Sequence, residues 1–159
     1  MTNTVSYDFI RAINSKMNEK SLTVKNVVDN SQLDIDTITS YLTYRNKPSY
    51  SNACVLYDVV VNDRVFSSVE ELNLFREYCV KLFYTKFKVK LGSLTYLAAE
   101  DIYGLSHSTL HTYVKELKKP KLENSYKLSK VMEIPLMFDF SSFINKNNEG
   151  AKLWNTQDM

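Results

Sequence analysis

His107 and His111 are the only histidines in this chain of 159 residues, and they stand four apart. On a helix that spacing puts both imidazoles on one face, where two nitrogens could share a metal ion. A closed site needs three or four ligands, and no cysteine or further histidine follows at ligand spacing. The same scarcity argues against catalysis. A Ser-His-Asp relay would need a chance meeting of distant residues, and there is no Gly-x-Ser-x-Gly motif, glycine-rich phosphate loop or zinc-ligand cluster. No enzymatic activity, metal or cofactor is expected. What remains is a polar run. His107, Ser108, Thr109, His111 and Thr112 offer imidazoles and hydroxyls that donate or accept hydrogen bonds without a fixed charge. Lys115, Lys118, Lys119 and Lys121 follow. Such a lysine run, taken alone, is more often a solvated face than a binding patch. Its setting adds weight: residues 1–72 hold seven Lys/Arg against nine Asp/Glu, and residues 73–159 hold thirteen against nine. The second half therefore carries a weak signature of a polyanionic partner.

The elements that position this run occur twice. Residues 21–60 align without a gap onto 93–132, at a constant offset of 72. Ser21-Leu22-Thr23 falls on Ser93-Leu94-Thr95, Asp29 on Asp101, Leu33 on Leu105, Thr37 on Thr109 and Tyr41 on Tyr113. Lys47-Pro48 falls on Lys119-Pro120, and Asn52, Leu56 and Val59 on Asn124, Leu128 and Val131. Chance pairing of ordinary compositions would give roughly two or three identities over such a length, so the twelve between 21 and 59 mean one folded unit built twice.

Three glycines and three prolines in the whole chain argue for helices over a turn-rich β-fold. Ser6 is a candidate cap for a first helix with an apolar stripe at Phe9, Ile10, Ile13 and Met17. Ser67-Ser68-Val69-Glu70 opens a helix reaching about Leu91, with Leu72, Phe75, Cys79, Leu82, Phe83 and Phe87 on one side. Inside each repeat, short helices are expected over 24–31 and 96–103, then a tight turn. Helices over 35–44 and 107–117 follow, capped by Asp34 and Ser106 and ended by Pro48 and Pro120. Last come 50–61 and 122–133. Ile38, Tyr41 and Leu42, with Leu110, Tyr113 and Val114, are the expected buried positions. Cys54 and Cys79 read as reduced packing residues.

This order resembles the lambda-repressor/Cro-type (XRE) helix-turn-helix family. In the second copy the likeness rests on Leu94-Thr95, Gly104 through Leu110, Lys118-Lys119-Pro120-Lys121-Leu122-Glu123 and Leu128. In the first it rests on Leu22-Thr23, Leu33 through Ile38 and Asn46-Lys47-Pro48-Ser49. The resemblance implies an all-α fold of two tandem lambda-repressor-like bundles joined by a long helix, with units over 1–66 and 67–145 and a tail over 146–159. It also implies double-stranded DNA as partner, with the second helix of each motif in the major groove. His107, Ser108, Thr109, His111 and Thr112 would then meet base edges, and Lys115, Lys118, Lys119 and Lys121 phosphates. The matching surface of the first copy holds Thr37, Ser40, Thr43, Arg45, Asn46 and Lys47, with Asp36 less suited to phosphate. Two positions depart from the family pattern. Val24 and Tyr96 replace a backbone-contacting Gln, and Val28 and Glu100 replace a small residue between the motif helices.

A small cytoplasmic transcriptional regulator of phage or plasmid type is the expectation. The rival reading is a protein-binding module on the same fold, an antirepressor or inhibitor, which the Ile35- and Asp36-bearing first copy would suit. The apolar segment from Ile134 to Ile144 is expected to close the second unit's core as a fifth helix, and alternatively to support a homodimer. Residues 145–159 are expected to be loose. No segment approaches the length of a membrane span, and residues 1–6 lack signal-peptide character.

Overall fold

The described residues, 5–157 of a computed structural model with side chains described through Asn148, contain nine helices and no strand. In chain order these are α1 (Val5–Lys20), α2 (Val24–Ser31), α3 (Ile35–Leu42), α4 (Tyr50–Val61), α5 (Val69–Leu91), α6 (Tyr96–Tyr103), α7 (His107–Val114), α8 (Leu122–Val131) and α9 (Phe140–Gln157). No described helix is long and apolar enough to cross a membrane.

Local chemistry explains most boundaries. Thr23, Asp34, Ser49, Ser68, Thr95 and Ser106 each accept a hydrogen bond from the backbone N–H three residues on. Each such cap is worth about 1 kcal/mol. The repeat is visible in the helix ends too. Gln32 and Gly104, one offset apart, close α2 and α6 with left-handed backbones at φ 66° and 68°. Gln32 lacks glycine's freedom there, but its amide donates to the Asp29 and Phe66 carbonyls.

Three expectations shift. α3 and α7 end at Leu42 and Val114, before the prolines, in left-handed turns at Tyr44 and Glu116. There Arg45 N–H returns to the Ser40 carbonyl at 2.9 Å and Leu117 N–H to Thr112 at 2.8 Å, a closing bond that stops a helix without proline. Ser6 is no cap: it lies buried inside α1, and its N–H and hydroxyl donate to Glu123 at 2.9 and 2.7 Å. At the start of α5 the cap is Ser68 and the returning carboxylate is Glu71, which accepts from Ser67 N–H.

One continuous apolar core runs through both repeats. Ile38 and Leu110 are fully buried at matching positions, as are Leu56 and Leu128 to within 1 %. Val131, unlike its partner Val59, is exposed. The repeated tyrosines are buried with their hydroxyls satisfied, Tyr41 by Asn52 and Tyr113 by Asn124, which accounts for the Tyr and Asn identities.

The C-terminal apolar segment does fold inward, yet onto the first repeat. Phe140 and Phe143 meet Phe9 of α1 edge-on at 5.4 and 5.9 Å, and Tyr57 of α4 at 5.6 and 5.0 Å. Tyr50 is more than filler in this cluster, because its oxygen accepts from Met137 N–H at 2.9 Å. Residues 145–148 continue α9 because Asn148, buried, donates to the Asp8 carbonyl. The remainder of the expected tail lies beyond the described side chains.

Candidate nucleic-acid interface

α7 owes its outward face to what it buries. Leu110 is fully enclosed, and Tyr113 sits edge-on to Phe83 and Phe87 of α5 at 5.7 and 5.6 Å. Burial pushes the Tyr113 hydroxyl's pKa up, so it stays a neutral partner for Asn124. With 110 and 113 inward, helical spacing turns His107, Ser108, His111 and Lys115 outward, and all four are exposed. Lys118, Lys119 and Lys121 extend the exposed strip beyond the helix end. Among the described residues, none of these four lysines forms an ion pair.

The acid that follows α7, Glu116, is already matched. Glu116 lies between Lys81 at 3.2 Å and Lys88 at 2.5 Å, and these two ammonium groups hold its carboxyl below the usual glutamate value. The positive field near α7 is therefore carried by Lys115 and the 118–121 loop. That loop is anchored from below, where the Tyr84 hydroxyl donates to the Lys118 carbonyl.

Thr109 and Thr112 are half-buried and bonded locally. Thr112 donates its hydroxyl to the Thr109 carbonyl at 2.9 Å, while Ser106 donates to Thr109 Oγ1 at 2.9 Å. Thr112, its hydrogen committed, is left as an acceptor, whereas Thr109 still has its own hydroxyl hydrogen to donate. The His107 and His111 rings lie nearly parallel, 6.5 Å between centroids. Among the described residues no group of three or more His, Cys, Asp or Glu could hold a metal ion.

The two departures from the family pattern have visible consequences. Tyr96 packs edge-on against His107 at 4.8 Å, and Glu100 reaches within 4.0 Å of His107 Nδ1. The half-exposed Glu100 thus meets a histidine of α7. The residue fully buried between α6 and the core is Ala99, and in α2 Val27 and Ser31 are fully buried.

The first copy presents a different surface. Ile35 is 58 % exposed, and Asp36 is exposed beside it. Ser40 is buried and donates to the Thr37 carbonyl at 2.8 Å, which commits its hydroxyl hydrogen within the helix. Thr37 donates to Asp34 at 3.0 Å, and Thr43 donates to Thr39 and accepts from Arg45. Arg45, Asn46 and Lys47 are exposed, and Arg45 and Asn46 share an open depression with Asp36, Thr37 and Ser40.

Arg76 is a basic group that spacing does not reveal. It lines a shallow groove with Lys119, Ser49 and Ser51, and bonds Asn52 and Asn73 at 3.0 and 2.6 Å. It stands on α5, far in sequence from Lys119, so no local motif marks it. Compared with family models, with characterised proteins and with solved structures, the chain matches none.

Proposed function

We propose that this chain is a sequence-specific double-stranded DNA-binding protein, a small cytoplasmic transcriptional regulator of phage or plasmid type. In this reading α2–α3 and α6–α7 are tandem helix-turn-helix motifs, and α7 is the main reading helix. The observation that carries it is the exposed strip His107–Ser108–His111–Lys115, prolonged by three exposed lysines free of ion pairs among the described residues, on a helix fixed from behind by Leu110 and Tyr113. Neutral hydroxyls and imidazoles suit base edges, and the lysines suit the phosphates beside them. No catalytic role is proposed.

Titration of the full chain against genomic duplex fragments tests the reading. A preferred fragment should emerge whose affinity falls steeply with salt. Absence of binding at about 50 mM salt, where such contacts are strongest, rejects it.

A second reading is favoured by one feature, the exposed Ile35 beside Asp36. An apolar and acidic motif helix suits a protein surface better than phosphate, so the first copy is the place for a protein partner. A pull-down that survives nuclease treatment and is lost in Ile35→Ser supports it. Loss on nuclease treatment alone removes it.

A further inference from the structure

We infer that the DNA target is an imperfect inverted repeat, its half-site centres about one helical turn apart, bound by a single chain; this rests on the DNA-binding reading above. The inference starts from one backbone contact. Ser49 and Lys121 form an antiparallel bridge, with Tyr50 N–H donating to the Pro120 carbonyl at 3.2 Å. These two residues occupy the same place in the two repeats, one offset of 72 apart. Equivalent residues pair antiparallel across a two-fold rotation, whereas a translation would leave them pointing the same way.

The helix contacts agree. α1 of the first copy lies on α8 of the second, where Ser6 bonds Glu123. The C-terminal half of α5, which the offset places opposite α1, lies in turn on α4, where Phe83 meets Tyr50 at 5.6 Å. Each copy gives its first helix to the other's last, and α4 packs on its own counterpart α8. Reciprocal exchange of this kind is the mark of a two-fold relation; head-to-tail repeats lack it.

A dyad relating the copies passes close to this bridge. Residues 43–47 on one side, and Lys115, Leu117, Lys118, Lys119 and Lys121 on the other, are exposed and lead to the bridge. Asn46 N–H is held by the Ser40 carbonyl at the end of α3, and Leu117 N–H by Thr112 at the end of α7. From there three residues reach Ser49 and four reach Lys121. At no more than about 3.6 Å per residue, plus about 5 Å across the bridge, the two helix ends are at most about 30 Å apart. A reach of that size is of the order of the 34–36 Å between the centres of half-sites one helical turn apart.

A dyad turns the second half-site around, so the site is inverted and not direct. Its halves are unequal, because α7 shows His107, Ser108 and His111 where α3 shows Ile35, Asp36 and a half-buried Thr39.

The test is selection of duplexes of about 30 base pairs from a random pool by the full chain, followed by the mass of the complex. The expected result is two enriched blocks in inverted orientation, centred about 10–11 base pairs apart, with one chain per duplex. Reversing one block, or moving it by about five base pairs, should lower affinity at least about tenfold. Blocks in direct orientation, a single block, or two chains per duplex would overturn the inference while leaving DNA binding intact. No enriched sequence at all would remove the DNA reading itself, and this inference with it.

Discussion

Replacing Lys115, Lys118, Lys119 and Lys121 together by alanine should flatten the salt dependence of DNA binding by an amount fixed in advance. All four side chains are exposed and unpaired among the described residues. Surface substitutions of this kind change stability by no more than about 0.5 kcal/mol each. Lys121 precedes α8 without a side-chain capping bond, so it too can be removed without loosening the helix. Each phosphate contact contributes about 0.9 to the slope of log affinity against log salt, so four contribute about 3.6. Between about 50 and 200 mM salt that slope alone costs roughly 150-fold in affinity, a loss the fourfold variant should no longer show. The pair Lys118→Ala with Lys119→Ala should recover about half of the slope change, close to 1.8. Lys25→Ala is the control, since its ammonium is paired with Asp29 at 3.0 Å on the first copy. Fluorescence anisotropy at three salt concentrations reads all four proteins. An unchanged slope in the fourfold variant, or an equal change in Lys25→Ala, would refute the assignment of these lysines to phosphate.

Three further outcomes follow from particular contacts. Ser108→Ala should alter base preference at one position by about 1–3 kcal/mol, while Thr112→Val, whose donor is already committed to Thr109, should alter it less; base-by-base competition distinguishes them. Tyr50→Phe leaves Met137 N–H without its acceptor and should cost about 1–3 kcal/mol, lowering the melting temperature by about 2–4 °C per kcal/mol. Asp34, Glu71 and Glu116 are held below their ordinary values of 3.8, 4.5 and 4.5 by Thr37, by Ser67 and by Lys88 with Lys81 respectively. Their stabilisation is present above those ordinary values and is lost as pH falls through the lowered ones. The melting temperature should therefore fall on acidification below about pH 4.5, and Glu116→Gln should soften that fall; an identical acid profile in the variant would contradict the Lys88–Glu116–Lys81 contact.

Helix positions were legible where short-range chemistry decides them. Thr23, Asp34, Thr95 and Ser106 announce their helices because a cap and its target N–H are three residues apart. The inward placing of Ile38, Leu110, Tyr41 and Tyr113 follows from helical spacing in the same way. Contacts with no local trace were missed. Ser6 resembles a cap by its neighbours alone, because its hydroxyl's true partner, Glu123, is 117 residues away. The apolar tail was expected against its own unit, whereas α9 lies on α1, tied by Asn148 to Asp8 across 140 residues. The offset of 72 announces a repeat, yet an offset is identical for rotation and translation, and it takes the Ser49–Lys121 bridge and the exchanged helix contacts to separate them. At the site, residue types gave the polar strip, but the burial of Ser40 needed the packing around α3.

Amide chemical-shift mapping of the full chain with its selected duplex tests most directly whether α7 reads DNA. The account predicts that the largest shifts fall on His107, Ser108, His111 and Lys115 and run on through Lys121. Shifts that spare α7, or that gather only on the surface opposite it, would contradict the account.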